Sequence, residues 1–204
     1  MQSAIKRVHF GDFAFDVCEN VYEPAEDSFL FAENLIVQEG DSVLDLGTGS
    51  GILTVLAAKV ADSVVAVDLN PFAIRCALQN TILNRIKGNI SFLQSDLFRA
   101  LHTNAKFDLI LFNAPYLPSE KGEDSTWIGR SWAGGTSGRE VVDRFIAEVS
   151  SFLKPSGRVQ LMQSTLTGVE ETLSKFHING LEASVKAEKQ LPFFEILTLI
   201  EAKR

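Results

Sequence analysis

Long apolar runs are missing from this chain of 204 residues, although 46% of its residues are hydrophobic. No stretch approaches the ~18 consecutive apolar residues of a membrane-spanning helix. The N-terminus also lacks a basic segment followed by an apolar one, the pattern of a secretory signal peptide. These absences predict a folded protein of the cytoplasm with no membrane span.

Cysteine is scarce, and the only two are Cys18 and Cys76. They lie far apart in sequence, with no C-x-x-C spacing and no histidine at a metal-ligand interval. We therefore expect both to be small buried apolar residues in a reducing compartment. The same absence predicts no metal site.

A basic segment is also lacking, and the formal net charge is −7. Duplex DNA is bound largely through Lys and Arg that neutralise phosphates. The charge makes a nucleic-acid substrate unlikely and favours a basic protein, although a local basic patch can override the net charge.

Strand and helix patterns alternate along most of the chain, which predicts a parallel sheet covered on both faces. The predicted strands are 42–46, 63–68, 89–93, 107–112, 158–162, 181–187 and 195–200. The predicted helices are 26–37, 51–60, 71–84, 97–101, 138–153 and 165–176. Only the short segment Lys189-Gln190-Leu191-Pro192 separates the last two strands. A parallel crossover needs about a dozen residues, so these two strands should form an antiparallel hairpin.

One domain accounts for the whole pattern. Residues 1–40 form an N-terminal segment and helix, with a strand or hairpin expected in 1–23, and residues 41–204 form the catalytic core. The segment 117–137 is too long and polar to be a connector only.

A Gly-rich turn, with Gly47, Gly49 and Gly51, follows the first core strand. Its spacing is one residue shorter than the G-x-G-x-x-G of dinucleotide-binding proteins. Glycine permits a sharp turn and a close approach of a ligand to the backbone. The turn is therefore a candidate ligand-binding element.

Three acids end three successive strands: Asp45, Asp68 and Asp96. Asp45 can accept from an ammonium group, Asp68 from ribose hydroxyls and Asp96 from an adenine amine. Taken singly, each is also a common turn or cap residue. As an ordered set they suit a ligand with an ammonium group, a ribose and an adenine but no pyrophosphate, which describes S-adenosylmethionine.

The tetrapeptide Asn113-Ala114-Pro115-Tyr116 follows the strand 107–112. The Asn113 side-chain oxygen and the Ala114 carbonyl can each accept one hydrogen of a planar –NH2 group and aim its lone pair at an electrophile. Tyr116 supplies a ring face for packing. With the cofactor residues, this tetrapeptide predicts an enzyme that methylates an amide or amino nitrogen.

With these motifs the chain resembles the Asn-Pro-Pro-Tyr class of amino-group methyltransferases. Within it, the chain is most similar to the HemK-like glutamine methyltransferases of class 1 release factors, in their eukaryotic and archaeal branch. The segments 21–29 (Val-Tyr-Glu-Pro-Ala-Glu-Asp-Ser-Phe), 132–135 (Trp-Ala-Gly-Gly) and 138–145 (Gly-Arg-Glu-Val-Val-Asp-Arg-Phe) carry the resemblance, which covers nearly the whole chain.

The resemblance implies a class I methyltransferase fold of the α/β, Rossmann-like type. Its seven-stranded sheet is mostly parallel, with an antiparallel last strand and helices on both faces. It implies methyl transfer from S-adenosylmethionine to the side-chain amide nitrogen of Gln in a Gly-Gly-Gln motif of a peptide chain release factor. It also places Ser28 and Leu97 at the cofactor. Ala114 stands where the family has its first proline, and Pro115 still biases Ala114 toward extended geometry.

The resemblance also suggests a partner, a small zinc-binding activator protein docked along the edge strand from Asn89 to Leu93. Strand addition at a free edge is a common mode of binding.

Other functions stay open on the residues alone. The acceptor pair suits an exocyclic amine of adenine or guanine in nucleic acid, and it suits a protein lysine less well because an ammonium must first lose a proton. A binding or scaffold subunit that keeps the fold is a non-enzymatic alternative.

Overall fold

The computed structural model describes residues 6–204 as a seven-stranded sheet with helices on both faces and a separate N-terminal hairpin. The hairpin pairs β1 (Lys6–Phe10) with β2 (Phe13–Val17) in antiparallel fashion. It confirms the strand pattern expected near the N-terminus, of which residues 1–5 lie outside the described range. The sheet strands are β3 (Ser42–Leu46), β4 (Ser63–Asp68), β5 (Ile90–Gln94), β6 (Phe107–Asn113), β7 (Leu153–Ser164), β8 (Glu182–Gln190) and β9 (Ile196–Lys203).

The strand order across the sheet is β5-β4-β3-β6-β7-β9-β8. Strands β5, β4, β3, β6 and β7 pair in parallel, whereas β9 is antiparallel to both of its neighbours, β7 and β8. The predicted fold class and the predicted hairpin are confirmed. The reversed strand does not lie at the edge of the sheet, because the β8–β9 hairpin folds back so that β9 pairs with β7.

Six α-helices connect or flank the strands in residues 6–204. They are α1 (Glu26–Glu33), α2 (Ile52–Ala57), α3 (Pro71–Leu83), α4 (Trp127–Trp132), α5 (Glu140–Val149) and α6 (Val169–Ile178). None of them is long and apolar enough to cross a bilayer.

Four helices, α1, α2, α5 and α6, miss a predicted end by three or four residues, and one predicted helix does not form. Helix α1 ends at Glu33 rather than at residue 37, because the Asn34 side chain donates to the Leu30 carbonyl at 2.9 Å and turns the chain. The helix expected over 97–101 is wrong. Leu97 has a left-handed φ of 47°, and the segment forms turns.

The long segment between β6 and α5 is folded rather than a simple connector. It contains the 3-10 turn Glu123–Ser125 and helix α4. The Leu117 N–H donates to the Trp132 carbonyl at 2.9 Å, and the Gly134 N–H donates to the Leu117 carbonyl at 2.8 Å. These bonds hold α4 beside the end of β6.

The centre of the sheet is strand β6, which is buried on both faces. Its residues Leu109, Ile110 and Leu111 have no solvent exposure. A strand buried on both faces between parallel neighbours reads as a continuous apolar run, as 107–112 does. This packing fixes the position at which β6 delivers Asn113 to the carboxyl edge of the sheet.

The two cysteines are joined. Cys18 and Cys76 form a disulfide with their Cα atoms 5.9 Å apart. The N-terminal hairpin packs on α3, where the Asn80 side chain accepts from the Asp16 N–H at 2.8 Å and donates to the Asp16 carbonyl at 3.0 Å. This contact brings two residues that are 58 positions apart into bonding range. The expectation of two separate thiols is wrong, and the reducing compartment inferred from it loses its basis.

Candidate active site

A cavity of about 730 Å³ opens at the carboxyl ends of the parallel strands. This is the place where open α/β sheets bind their ligands, and the volume is within the roughly 300–1,000 Å³ of ordinary ligand pockets. Ten of the residues predicted from the sequence line it: Ser28, Gly47, Gly49, Asp68, Asp96, Leu97, Asn113, Ala114, Pro115 and Tyr116.

The Gly-rich turn forms one wall of this cavity. Gly47 and Gly49 have left-handed φ values of 65° and 56°. A Cβ on Gly47 would lie 3.3 Å from the Phe112 ring, whereas a Cβ on Gly49 would meet nothing nearer than 3.9 Å. Gly49 thus leaves room for a ligand at the backbone.

Two predicted cofactor residues, Asp45 and Gly51, are not part of the cavity wall. A Cβ on Gly51 would lie 2.8 Å from the Ala77 Cα, so this glycine permits close packing of α2 on α3. Asp45 is fully buried behind the turn, where the Thr54 hydroxyl donates to its Oδ2 at 2.6 Å. Direct contact of either residue with a bound cofactor stays a prediction.

Burial raises the pKa of Asp45 from 3.8 to about 6, although the hydroxyls of Thr54 and Thr48 oppose the shift. Its Oδ1 is buried and has no hydrogen-bond partner among the described residues. The protein's own groups therefore compensate the burial of this carboxylate poorly.

This shift predicts a pH dependence of stability. The folded state holds the Asp45 proton more tightly than the unfolded state does, so the stabilising contribution is present below pH 3.8 and is lost as the pH rises through about 6. Denaturant unfolding of the wild type and Asp45→Asn, from pH 4 to pH 7, should show the variant gaining stability relative to the wild type as the pH rises. Parallel curves would contradict this prediction.

Asp68 and Asp96 both lie on the wall, and each already has partners. Asp68 accepts from the backbone N–H groups of Gly49 at 2.9 Å and Asn70 at 2.8 Å, while burial raises its pKa. Asp96 pairs with Arg144 at 2.7 Å and Arg99 at 3.1 Å. Asp68 therefore braces the Gly-rich turn as well as facing the cavity.

Asn113 is the polar centre at the other end of the cavity. Its Nδ2 donates to Asp27 Oδ2 at 3.0 Å and lies 3.4 Å from the Ser28 hydroxyl. Its Oδ1 is buried and has no hydrogen-bond partner among residues 6–204. A buried acceptor without a partner is uncommon in folded proteins and points to a missing ligand.

The aromatic residue of the tetrapeptide remains a neutral phenol at ordinary pH. Burial raises the pKa of Tyr116, and the negative charge of Asp27 raises it further. Tyr116 is only 9% exposed and lines the cavity. It offers an apolar ring rather than a base.

Comparison with known proteins gives the chain its family. It is 42% identical to a protein named as an N5-glutamine methyltransferase in Methanocaldococcus jannaschii, over 88% of this chain and 90% of that one. It is 33% identical to the methyltransferase HEMK2 of Homo sapiens, over 89% and 88% of the two chains. The chain belongs to the HemK-like family of class I methyltransferases. It is therefore a protein methyltransferase.

Two further matches agree with membership in the HemK-like family. The family described as ribosomal protein L11 methyltransferase (PrmA) matches residues 27–114. The Mtq2–Trm112 complex of E. cuniculi, described as responsible for methylation of the translation termination factor eRF1, contains a chain with a TM-score of 0.69. That chain is 26% identical, and the match covers 91% of this chain and 99% of that one. Both matches are to methyltransferases, and the structural match shows the same fold.

The residue that sequence reasoning missed in this HemK-like site is Asp27. An acidic residue in the first turn of a helix, as Asp27 is in α1, is ordinarily explained by the helix dipole alone. The Glu-Pro-Ala-Glu-Asp segment singled out this stretch of chain, but no spacing in the sequence connects position 27 with position 113. The hydrogen bond between them forms because α1 packs over the end of β6.

Proposed function

We propose that this enzyme transfers a methyl group from S-adenosylmethionine to the side-chain amide nitrogen of Gln in the Gly-Gly-Gln motif of a class 1 peptide chain release factor. One observation carries the proposal: Asn113 Oδ1 is buried at the cavity without a partner, while Nδ2 of the same amide is held by Asp27. The names of the relatives support the same substrate, because they include N5-glutamine and release factor glutamine methyltransferases.

In this reaction the enzyme must orient a weak nucleophile, the amide nitrogen of the substrate Gln. An amide nitrogen delocalises its lone pair into the neighbouring carbonyl, so it reacts only if it is held in line with the electrophile. Asn113 Oδ1 and the Ala114 carbonyl accept the two N–H hydrogens, and both acceptors favour the positive charge that develops on nitrogen. No strong base is required, because the methylated nitrogen is acidic and releases its extra proton to water.

The residues at the Gly-rich end fit the proposed methyl donor. Asp68 presents a carboxylate beside the open space at Gly49, and Asp96 and Leu97 line the adjoining wall. When bound, S-adenosylmethionine supplies a sulfonium methyl group, which passes to nitrogen while the sulfur–carbon electron pair stays on sulfur. Asp68 would accept from the ribose hydroxyls, and Asp96 would accept from the adenine amine.

Mass spectrometry of a release factor incubated with the purified enzyme and labelled S-adenosylmethionine tests the proposal. We expect one added methyl group on the Gln of Gly-Gly-Gln. A release factor with that Gln replaced by Asn should remain unlabelled, because the shorter side chain withdraws the amide from the acceptors. Label on another residue, or none on wild-type substrate, would reject the assignment.

The same assay separates the alternatives. DNA and RNA oligonucleotides and a lysine-rich histone peptide are offered in parallel reactions under the same conditions. Preferential labelling of any of these would favour an exocyclic amine or a lysine as the acceptor.

A small zinc-binding activator protein is the second part of the proposal, docked on the edge strand β5 and the neighbouring surface of α3. Strand β5 is at one end of the sheet. Beside it, α3 exposes three large apolar side chains, Leu78 at 45%, Ile82 at 68% and Leu83 at 37%. Adjacent exposed apolar residues beside a free strand edge are typical of a protein–protein contact. The similar E. cuniculi structure is itself a two-protein complex.

The pairing of β5 with β4 identifies the backbone groups that are free for a partner. Val64 N–H donates to the Asn89 carbonyl, and Ser95 N–H donates to the Asp68 carbonyl, so the odd-numbered backbone groups of β5 face β4. The N–H groups of Phe92 and Gln94 therefore point away from the sheet. Proline at position 91 would break β4–β5 pairing. Gln94→Pro would keep that pairing while removing an outward backbone donor and the 3.3 Å hydrogen bond from Gln94 Nε2 to the Leu69 carbonyl.

Ile82→Glu should abolish co-purification with the activator, because it places a charge in the centre of the exposed apolar surface. Ile178→Glu is the matched control. Ile178 is 77% exposed near the end of α6, which packs on β8 at the opposite edge of the sheet. Pull-down from cells, with zinc content measured in the eluate, gives the result. Equal recovery with both variants would disprove docking at this surface.

A further inference from the structure

Asp27 is a buried carboxylate that accepts four hydrogen bonds at the acceptor end of the cavity. It is 7% exposed. Its Oδ1 accepts from the Ser28 N–H at 2.6 Å, the Ser28 hydroxyl at 3.2 Å and the Tyr22 hydroxyl at 3.3 Å. Its Oδ2 accepts from Asn113 Nδ2 at 3.0 Å. Oδ1 is thus bonded to Tyr22 and to the first turn of α1, whereas Oδ2 is bonded to Asn113 of the tetrapeptide.

The NH2 group and the oxygen of a side-chain amide have nearly the same shape, so the amide fits its surroundings in two orientations related by a 180° rotation. The hydrogen-bond partners around it decide which orientation is adopted. A carboxylate can only accept, so Asp27 can face only the NH2 of Asn113. If the amide were rotated by 180°, two acceptor oxygens would oppose each other in a buried place. The carboxylate therefore selects one orientation of Asn113.

That orientation is the one the proposed reaction needs. With Nδ2 engaged by Asp27, Asn113 Oδ1 is left buried and unpartnered among the described residues. We propose that Asp27 is the positioning residue that holds Asn113 Oδ1 toward the –NH2 of the substrate. This inference rests on the proposed function for the identity of the substrate, but the orientation itself is a property of the free enzyme.

The variant Asp27→Asn should reverse the orientation of the Asn113 amide. Ser28 N–H makes the shortest bond to position 27, so the new amide keeps its oxygen there and turns its NH2 toward Asn113. Asn113 must then rotate and present its own NH2 to the substrate. We expect kcat to fall about 100-fold, the usual effect of losing one oriented group, with little change in KM for S-adenosylmethionine.

Exchanging the two side chains should restore the acceptor. In Asp27→Asn combined with Asn113→Asp, the new amide at position 27 donates to the new carboxylate at position 113, whose other oxygen faces the substrate. We expect the double variant to be at least about 10-fold more active than either single variant, because residues in contact couple rather than add. A purely structural role of Asp27 in capping α1 would not give this rescue.

Glu26→Gln is the matched control. It removes the same charge from the same helical turn at an exposed position. It should keep wild-type kcat, and thermal melting of all variants shows whether each remains folded. A folded Asp27→Asn with kcat within about threefold of the wild type, or a double variant no more active than the better single one, would overturn the positioning role.

Amide NMR measures the orientation without substrate and so separates this inference from the proposed function. The Asn113 side-chain NH2 resonance, identified by its loss in Asn113→Asp, should be protected from exchange in the wild type and in Glu26→Gln. Asp27→Asn should abolish the protection. Unchanged protection overturns the inference, whereas an unlabelled release factor with changed protection overturns only the substrate assignment.

Discussion

Asn113→Ala is expected to lower the rate of methyl transfer about 100- to 1,000-fold, the effect of removing one oriented transition-state group. The affinity for S-adenosylmethionine should stay close to that of the wild type, because the Asn113 side chain lies at the acceptor end of the cavity and is held there by Asp27. Single-turnover methylation of intact release factor gives the rate, and calorimetry gives the affinity.

Asn104→Ala is the control for this variant. Asn104 is exposed and precedes the opposite, amino end of the same strand, β6, so its loss should change neither quantity. Ala114→Pro should be neutral or mildly favourable if position 114 acts through its carbonyl. Full activity of Asn113→Ala would mean that the acceptor amide is not required, and the catalytic assignment would then be wrong.

Asp68→Ala should have the opposite pattern, a loss of cofactor affinity. The carboxylate is proposed to accept from ribose hydroxyls. It also accepts a hydrogen bond from the Gly49 N–H of the turn at 2.9 Å. Hydrogen bonds to a charged group contribute about 1.5–3 kcal/mol, so the dissociation constant should rise about 10- to 100-fold. Calorimetric titration with S-adenosylmethionine and with its demethylated product measures this change.

Asp62→Ala provides the comparison, since Asp62 is exposed and precedes the amino end of the same strand, β4. It should bind like the wild type. Tight binding of a nicotinamide dinucleotide, with no heat from S-adenosylmethionine, would refute the assignment of the Gly-rich turn and Asp68 to this cofactor.

The parallel core was predictable because its signals are local. Strands buried on both faces are continuous apolar runs, and their ends are marked by polar or turn residues. Strands β3 and β4 therefore begin and end as predicted, and β5 and β6 differ by no more than one residue at either end. The site residues at those strand ends followed from the same rule, which brings Gly47, Asp68 and Asn113 to one edge.

The features that sequence reasoning missed depend on contacts between distant segments. The bond between Cys18 and Cys76 follows from docking of the N-terminal hairpin on α3, and the hydrogen bond between Asp27 and Asn113 follows from packing of α1 over β6. For Asp45, the predicted contact with the cofactor stays a prediction. Its spacing matched a ligand-binding residue, but the turn folds over it and the carboxylate points at Thr54. Spacing identifies the strand end, whereas packing decides which side chains reach the cavity.

The disulfide closes residues 18–76 into a covalent ring. The loop closed by Cys18 and Cys76 contains Asp27, the Gly-rich turn and Asp68, whereas Asn113 lies outside it. A single protease cut anywhere between the two cysteines would leave both pieces attached, and they would separate only on a reducing gel. A break in this ring would thus leave the Gly-rich turn and Asp68 covalently joined to the rest of the protein, whereas Asp96, Leu97 and Asn113 lie beyond the ring and have no such second connection.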